Sequence, residues 1–373
     1  MEKPASNYPV SRLETCRINV ERAIGELRSN RPILIQAGTE IALAWTVDNF
    51  CKDIAERLER IVDGKARLVL TASRLTKLGV TREEDGAIAL PELNAARIEN
   101  LSFARDAGAD APVQGANALD IAALELARLA LLTPAVVIAS LSQQSAAQLP
   151  FLTVKNSDIH AYRELQILDM HIVTRAPVPL ENAKDSEFVI FRGGDGLRDQ
   201  VAVIVGKPDL SKHTLVRIHS ACLTGDLFGS LKCDCGDQLR SSVRLMAEKG
   251  GGILLYLDQE GRGHGLANKM RAYKLQAEGL DTYEADEVLG FGIDQRRFDV
   301  ASEMLKQLGL RQVRLLTNNP EKADVLRKAG FDVIDDRLTG RITAENIHYL
   351  NTKRDKAGHK LDLGAIVPPL LKD

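Results

Sequence analysis

The sequence is poor in cysteine, carries almost no net charge and has no long apolar run. Five cysteines in 373 residues do not make a disulfide framework in a chain of this size. The pair at Cys233 and Cys235 is also too close for a relaxed bridge. Net charge is −2, so no global field draws in nucleic acid or a membrane surface. Any anionic ligand must be held by local basic residues. The longest apolar stretch, LARLALLTPAVVIASL (126–141), is interrupted by Arg128 and Pro134 and is too short to span a bilayer. The opening MEKPASNYPVSRLETCRINVERA lacks the apolar core of a signal peptide, which points to a cytoplasmic chain. Repeats and low-complexity tracts are absent as well.

What is present is an ordinary soluble composition, 45% hydrophobic and 27% charged. The length fits about two or three domains and can bury a large core without staples. Cys16 and Cys51 sit alone in apolar helical patterns and read as core cysteines. Residues 1–15 read as a loose arm. Then come a helix (VERAIGELRS), a strand (RPILIQAG), a long helix (TVDNFCKDIAERLERIV) and a strand–helix pair (ARLVLTASRLTKLGV). Residues 82–116 read as loops with one exposed segment. ALDIAALELARLALL is a clear amphipathic helix. A Pro-rich stretch and a Gly-Gly pair within 176–200 mark a domain boundary. The predicted division is 1–195 and 196–373. Beyond it the alternation is regular. VAVIVG, TLVRIHS, GGILLYLDQ, VRLLTN and FDVIDD are strands, and QLRSSVRLMAEKG, GLANKMRAYKLQAEG, DVASEMLKQLG and PEKADVLRKAG are helices. The fold class is α+β, two α/β-layered domains, the second with a mixed sheet and loop-borne chemistry.

That second half gathers the chemistry. CLTGDLFGSLKCDCGDQ holds Cys222, Cys233 and Cys235 within fourteen residues. Three thiolates suit zinc with an open fourth position, the catalytic form of such a site. His219 could close the site as a structural Cys₃His centre. It lies three positions before Cys222, however, on the opposite face of an extended strand. Zinc in an open site lowers the pKa of water, so a hydrolase or cyclohydrolase acting on an electrophilic carbon follows. DQEGRGHGLANK joins a strand to a helix. Glu260 there could meet the base edge of guanine and Arg262 a phosphate. TNNPEK places Pro320 in a first helical turn with Lys322 behind it, an anion site. FGIDQRRF crowds Asp294, Arg296 and Arg297 into one loop. So many basic residues in loops of one domain suggest a triphosphate.

RIHSACLTGDLFGSLKCDCGDQL, QEGRGHGLANKMRAY, LGFGIDQRRF and RLLTNNPEK closely resemble, in order and spacing, the motifs of GTP cyclohydrolase II, over about residues 205–360. That family opens the imidazole ring of GTP and releases formate and pyrophosphate at the start of riboflavin synthesis. The resemblance implies that Cys222, Cys233 and Cys235 hold one zinc. Arg217, Ile218, His219, Ser220, Ala221 and Gln238 would line the GTP site. Glu260, Gly261 and Arg262 would bind base and phosphate, and Thr282, Thr317 and Lys322 would contact the nucleotide. Tyr273 would sit near the attacked carbon, Asp294 would accept a proton, and Arg296 would act at the α-phosphorus. A protonated guanidinium is an unusual nucleophile, so stabilisation of the leaving pyrophosphate stands beside that role. Mg²⁺ would accompany the triphosphate, and a homodimer fits the family. Ala221 stands where the family has Glu, which removes one carboxylate from the nucleotide-lining stretch; His264 replaces an aliphatic residue.

VERAIGELRS, RPILIQAG, LTASRLTKLGV and GANALDIAALELARLA faintly resemble 3,4-dihydroxy-2-butanone 4-phosphate synthase. That enzyme needs an acidic metal-binding loop after its first strand. Here ILIQAGTEIALAWTV offers Glu40 alone, and two Mg²⁺ ions need several hard oxygen ligands. The first half is therefore expected to be noncatalytic and to serve dimerisation, stability or regulation.

Overall fold

The computed structural model describes residues 11–62, 64–193, 198–292, 294–337 and 354–355. Its chain forms two units, Met1–Gln166 with Glu287–Gly292, and Ile167–Asp286 with Ile293–Asp373. Each is an α/β-layered unit around one mixed sheet, the class expected.

In the first unit, β1 (Ile33–Ala37), β2 (Glu40–Thr46), β3 (Ala66–Leu70), β4 (Gly86–Leu90), β5 (Val113–Gly115), β6 (Ala135–Leu141) and β7 (Thr153–Lys155) form one sheet. Its order is β5-β4-β3-β6-β2-β1-β7, antiparallel except for β1 with β7. Successive side chains of a strand face opposite sides. Ile33 and Ile35 therefore join Val20, Ile24 and Leu124 in one core, while Leu34 joins Ile54 and Leu58 in the other. Burial on both faces explains why these strands read as continuous apolar runs.

Several local expectations are corrected here. The long helix begins only at Lys52, not at Thr46, which ends β2. That strand, Glu40–Thr46, is an addition to the sequence reading and is paired on both edges, with β1 and β6. Residues 82–116 contain β4, the helix Ala95–Phe103 and β5, and Ile88, Ile98 and Leu101 are buried. Neither isolated cysteine is in the core. Cys51 is exposed ahead of its helix, and half-buried Cys16 directs its thiol to Asp158, 3.1 Å away. The first helix starts at Arg12, capped by Ser11; residues 1–10 of the expected arm lie outside the described residues.

Arg74 is fully buried in this unit and donates to the carbonyls of Leu101, Val288, Asn100 and Ala104. Burial pulls its pKa down to about 10. Truncation would remove a donor from all four carbonyls, of which Asn100 O keeps the Ala104 amide at 3.1 Å, and a buried carbonyl left unpaired must be desolvated. Arg74→Ala should cost about 3 kcal/mol or more of stability. A urea unfolding midpoint equal to that of wild type would show that these bonds contribute little.

The second unit's sheet runs β14-β13-β11-β12-β10-β9-β8. Its strands are β8 (His171–Pro177), β9 (Ser186–Arg192), β10 (Gln200–Gly206), β11 (Thr214–Ser220), β12 (Gly251–Leu257), β13 (Gln312–Leu316) and β14 (Asp332–Asp336). β8 and β9 pair antiparallel and join β10, so this unit begins near residue 167, not at the predicted 196. The Pro-rich stretch read as a boundary is the turn between β8 and β9. β11, β12, β13 and β14 are parallel, which sends the loops after β11, β12 and β13 out of the same edge. Ile253, Leu255 and Leu257 pack on the side of the helices Asp299–Gln307 and Pro320–Lys328, while Leu254 packs on the side of Cys235–Glu248.

Candidate active site

The loop after β11 carries Cys222 into a four-residue turn, Leu223–Asp226, and returns through Cys233 to the helix that opens at Cys235. The sulfurs of Cys222 and Cys233 are 3.7 Å apart, and the three thiols lie within 4.8 Å of one another. Among the described residues this is a group that could hold a metal ion. Gly225 makes the approach possible. A Cβ there would stand 2.7 Å from Cys233 Sγ and 3.1 Å from Cys222 Sγ. The donor set is three soft thiols on one side of a cavity, which fits a tetrahedral zinc with a position to spare. His219 is not one of the ligands: its Nε2 lies 3.1 Å from both Asp226 oxygens. With no metal, Cys222 is held below the thiol range by hydrogen bonds with Cys233 and Cys235 and by Lys269, and Cys233 is pushed up to about 11 by its bond with Cys222.

The loop after β12 passes through two left-handed residues, Gly261 (φ 60°) and Arg262 (φ 59°). A non-glycine residue there is strained, a feature that concentrates at functional sites. At Gly263 a Cβ would meet the backbone of Gln295 at 3.1 Å, so the glycine lets the Asp294–Arg296 loop pack close. Glu260 is buried. Its Oε2 accepts from Leu223 N at 2.6 Å and its Oε1 from Lys269 Nζ at 2.8 Å and Gly261 N at 3.0 Å. Arg262 donates to Asp286 at 3.0 Å and lies 4.0 Å over the Tyr283 ring.

A cavity of about 110 Å³ opens between these loops. It brings together Ser220, Ala221, Cys222, Cys233, Cys235, Glu260, Gly261, Arg262, Tyr273, Thr282 and Arg296 from the predicted site. The remaining predicted residues are not in its wall. Arg217 is buried and donates to Leu316 O and to Gln238 Oε1; burial pulls its pKa down to about 10. Gln238 in turn donates to Asp234, which fixes the start of the helix Cys235–Glu248. Lys322 donates to Ile218 O at 2.8 Å, and Thr317 accepts from Asn319 N at the head of the helix Pro320–Lys328. Lys322 and Arg296 flank the Phe298 ring, at 5.0 and 5.2 Å. Asp294 grips Arg296 with both oxygens, at 2.5–3.1 Å. Burial alone would raise that carboxyl, but the Arg296 charge outweighs it and holds the pKa below the usual range.

Sequence reasoning missed Lys269, Lys232, Gln259, Ala272, Gln276 and Asp286 in the wall. A signal existed for three of them. Lys269, Ala272, Tyr273 and Gln276 lie at i, i+3, i+4 and i+7 of the helix Leu266–Ala277 and so share the face that carries Tyr273.

Buried ion pairs, three converging thiols and a strained turn at the edge of a parallel strand set are the equipment of an enzyme. Residues 171–338 match the family described as GTP cyclohydrolase II. The match begins at β8, consistent with a second unit that starts upstream of 196. GTP cyclohydrolase-2 of Xylella fastidiosa (strain Temecula1 / ATCC 700964) is 42% identical over 98% of this chain and 93% of its own length. The Azospirillum brasilense GTP cyclohydrolase-2 is 37% identical over 91% of the chain and 93% of its own, and that of Shigella boydii 51% identical over 44% and 84%. Among solved structures, a two-domain 3,4-dihydroxy-2-butanone 4-phosphate synthase from A. baumannii covers 86% of the chain and 99% of its own, at 16% identity and a TM-score of 0.32, a likeness that assigns no function. The chain belongs to the GTP cyclohydrolase II family, a family of hydrolases.

Gly225→Ala should weaken metal binding by at least ~10-fold, the scale for disturbing the support of a metal ligand, with the circular dichroism of the fold unchanged. Wild-type zinc content in that variant would show that the thiols do not need this approach.

Proposed function

We propose that this protein hydrolyses GTP to 2,5-diamino-6-ribosylamino-4(3H)-pyrimidinone 5′-phosphate, formate and pyrophosphate, the first step of riboflavin synthesis. The observation that carries the reading is that the three thiols open into the same cavity as Tyr273, Arg262 and Arg296. Cys222, Cys233 and Cys235 would hold the zinc, which when bound would polarise water for attack on C8 of guanine. Glu260 has three protein donors on about four acceptor sites, so one remains for the base edge. Burial raises the Tyr273 pKa, which keeps its phenol protonated as a donor beside the opening ring. The triphosphate, with Mg²⁺, would run out of the cavity past Arg296 towards Phe298 and Lys322. Arg296 is ion-paired and permanently charged, so its role is to stabilise the departing pyrophosphate. Asp294 would take up a proton once phosphate draws Arg296 away. Ala221 leaves the Ser220–Cys222 stretch of the wall without a side-chain donor or acceptor at that position. The reading includes a cytoplasmic homodimer.

Arg296→Ala should lower kcat by at least ~10²-fold and suppress pyrophosphate release while GTP still binds. Arg297 is the control: it pairs with Asp299, and its backbone N–H meets Gln259 at 3.2 Å. Formate and pyrophosphate are measured separately from zinc-loaded protein with GTP and Mg²⁺. No product from wild type would sink the function, and a crippled Arg297→Ala beside a normal Arg296→Ala would sink the assignment of roles.

The first unit is proposed to be noncatalytic. After β1 the chain turns at once into β2, Ala37 pairing with Glu40, where a synthase would carry an acidic loop. Relatives that match nearly the whole chain are named for the cyclohydrolase alone. The purified protein should give no butanone phosphate from ribulose 5-phosphate; its appearance would overturn this reading.

A further inference from the structure

Lys269 stands where an ordinary surface lysine would not. It lies on the helix Leu266–Ala277 with its side chain only 10% exposed, against the first of the three thiols. Its Nζ is 3.1 Å from Cys222 Sγ, 2.8 Å from Glu260 Oε1 and 3.0 Å from Thr224 Oγ1. An ammonium has three hydrogens, and here each has one acceptor. Glu260, the second of these, also takes the amide of Leu223, the residue after Cys222. Lysine and carboxylate together hold Cys222 from both its side chain and its backbone.

Charge gives this arrangement a purpose. Three thiolates around a divalent zinc leave one net negative charge, and each thiolate feeds electron density to the ion. A centre that must polarise a substrate or water works better when that donation is checked. A hydrogen bond from a cation to a ligand sulfur checks it, in the way outer partners tune other metal ligands. Resting on the metal reading above, the geometry points to Lys269 as a positioning residue that offsets the Cys222 thiolate and so keeps the metal centre electrophilic.

The rival is a structural role, with Lys269 only fastening its helix through Glu260. Cobalt(II) separates the two, because its thiolate-to-metal charge-transfer band reports electron donation by sulfur. Wild type, Lys269→Met and Lys269→Arg are loaded with cobalt(II), and GTP turnover is measured on the zinc forms. Lys269→Met should bind one cobalt per chain with its band moved to longer wavelength, and kcat should fall by ~10- to 100-fold. Lys269→Arg, which keeps the charge, should return the band towards wild type. A band or a kcat that stays put in folded Lys269→Met overturns the proposal. Lys269→Gln, polar but neutral, takes the same test if the methionine variant does not fold. A wild type with no thiolate band would instead refute the metal reading itself, and this inference with it.

Discussion

Asp226 closes the turn after the first thiol and accepts from three groups: the His219 ring, the backbone N–H of Cys222 at 2.9 Å and the Tyr256 hydroxyl at 3.0 Å. A buried carboxylate is tolerable only when so satisfied. The donors come from β11, from the thiol loop and from β12. One side chain therefore ties the cysteine loop to two parallel strands. His219 and Tyr256 also stack, with ring centroids 5.6 Å apart, so neither swings away. Burial lowers the His219 pKa, and burial with the Asp226 charge raises that of Tyr256. A neutral imidazole with its proton on Nε2 and a protonated phenol are both donors, the form in which each can hold the carboxylate. With Asp226 fixed, Cys222 starts from a set backbone position, and the remaining geometry reduces to how closely Gly225 lets the other sulfurs approach.

Much of this was legible in the sequence, for definable reasons. The thiol trio, the Gly-rich turn and the Asp294–Arg296 pair are contiguous or nearly so, and short spacing limits where side chains can go. Strands and helices of the second unit followed their periodicity. What was hidden depends on pairing over distance. Glu40–Thr46 becomes a strand because β1 and β6 flank it. β8 belongs to the second sheet because β9 folds back on it, and its mostly exposed residues give no burial pattern to read. The positions of Arg217 and Gln238 behind the wall, in place of on it, follow from a hydrogen-bond ladder with Asp234 that no local rule supplies. Lys269 was missed for a different cause: charged residues on a helix are ordinarily solvated, and only its register with Tyr273 set it apart.

The ion pairs at the site share one pattern. Arg262 is held by Asp286, Lys269 by Glu260 and Arg296 by Asp294. These three cations already have a carboxylate each, while Lys232, also in the wall, lies over the Tyr273 ring, so most of the cavity's positive charge is compensated within the protein. This suits a chain with net charge −2, which has no long-range pull on anions. It also raises the threshold for binding, since an incoming anion must compete with a carboxylate that is already placed and bonded. A single charge competes poorly in such a setting. On the function proposed above, the triphosphate would engage Arg296, Lys322 and the head of the helix Pro320–Lys328 together, and the gains would add while the pairs are disturbed one at a time. On that proposal pairing would work as a filter: it keeps buried cations compensated within the protein and would favour ligands whose charges are multiple and spaced along a chain.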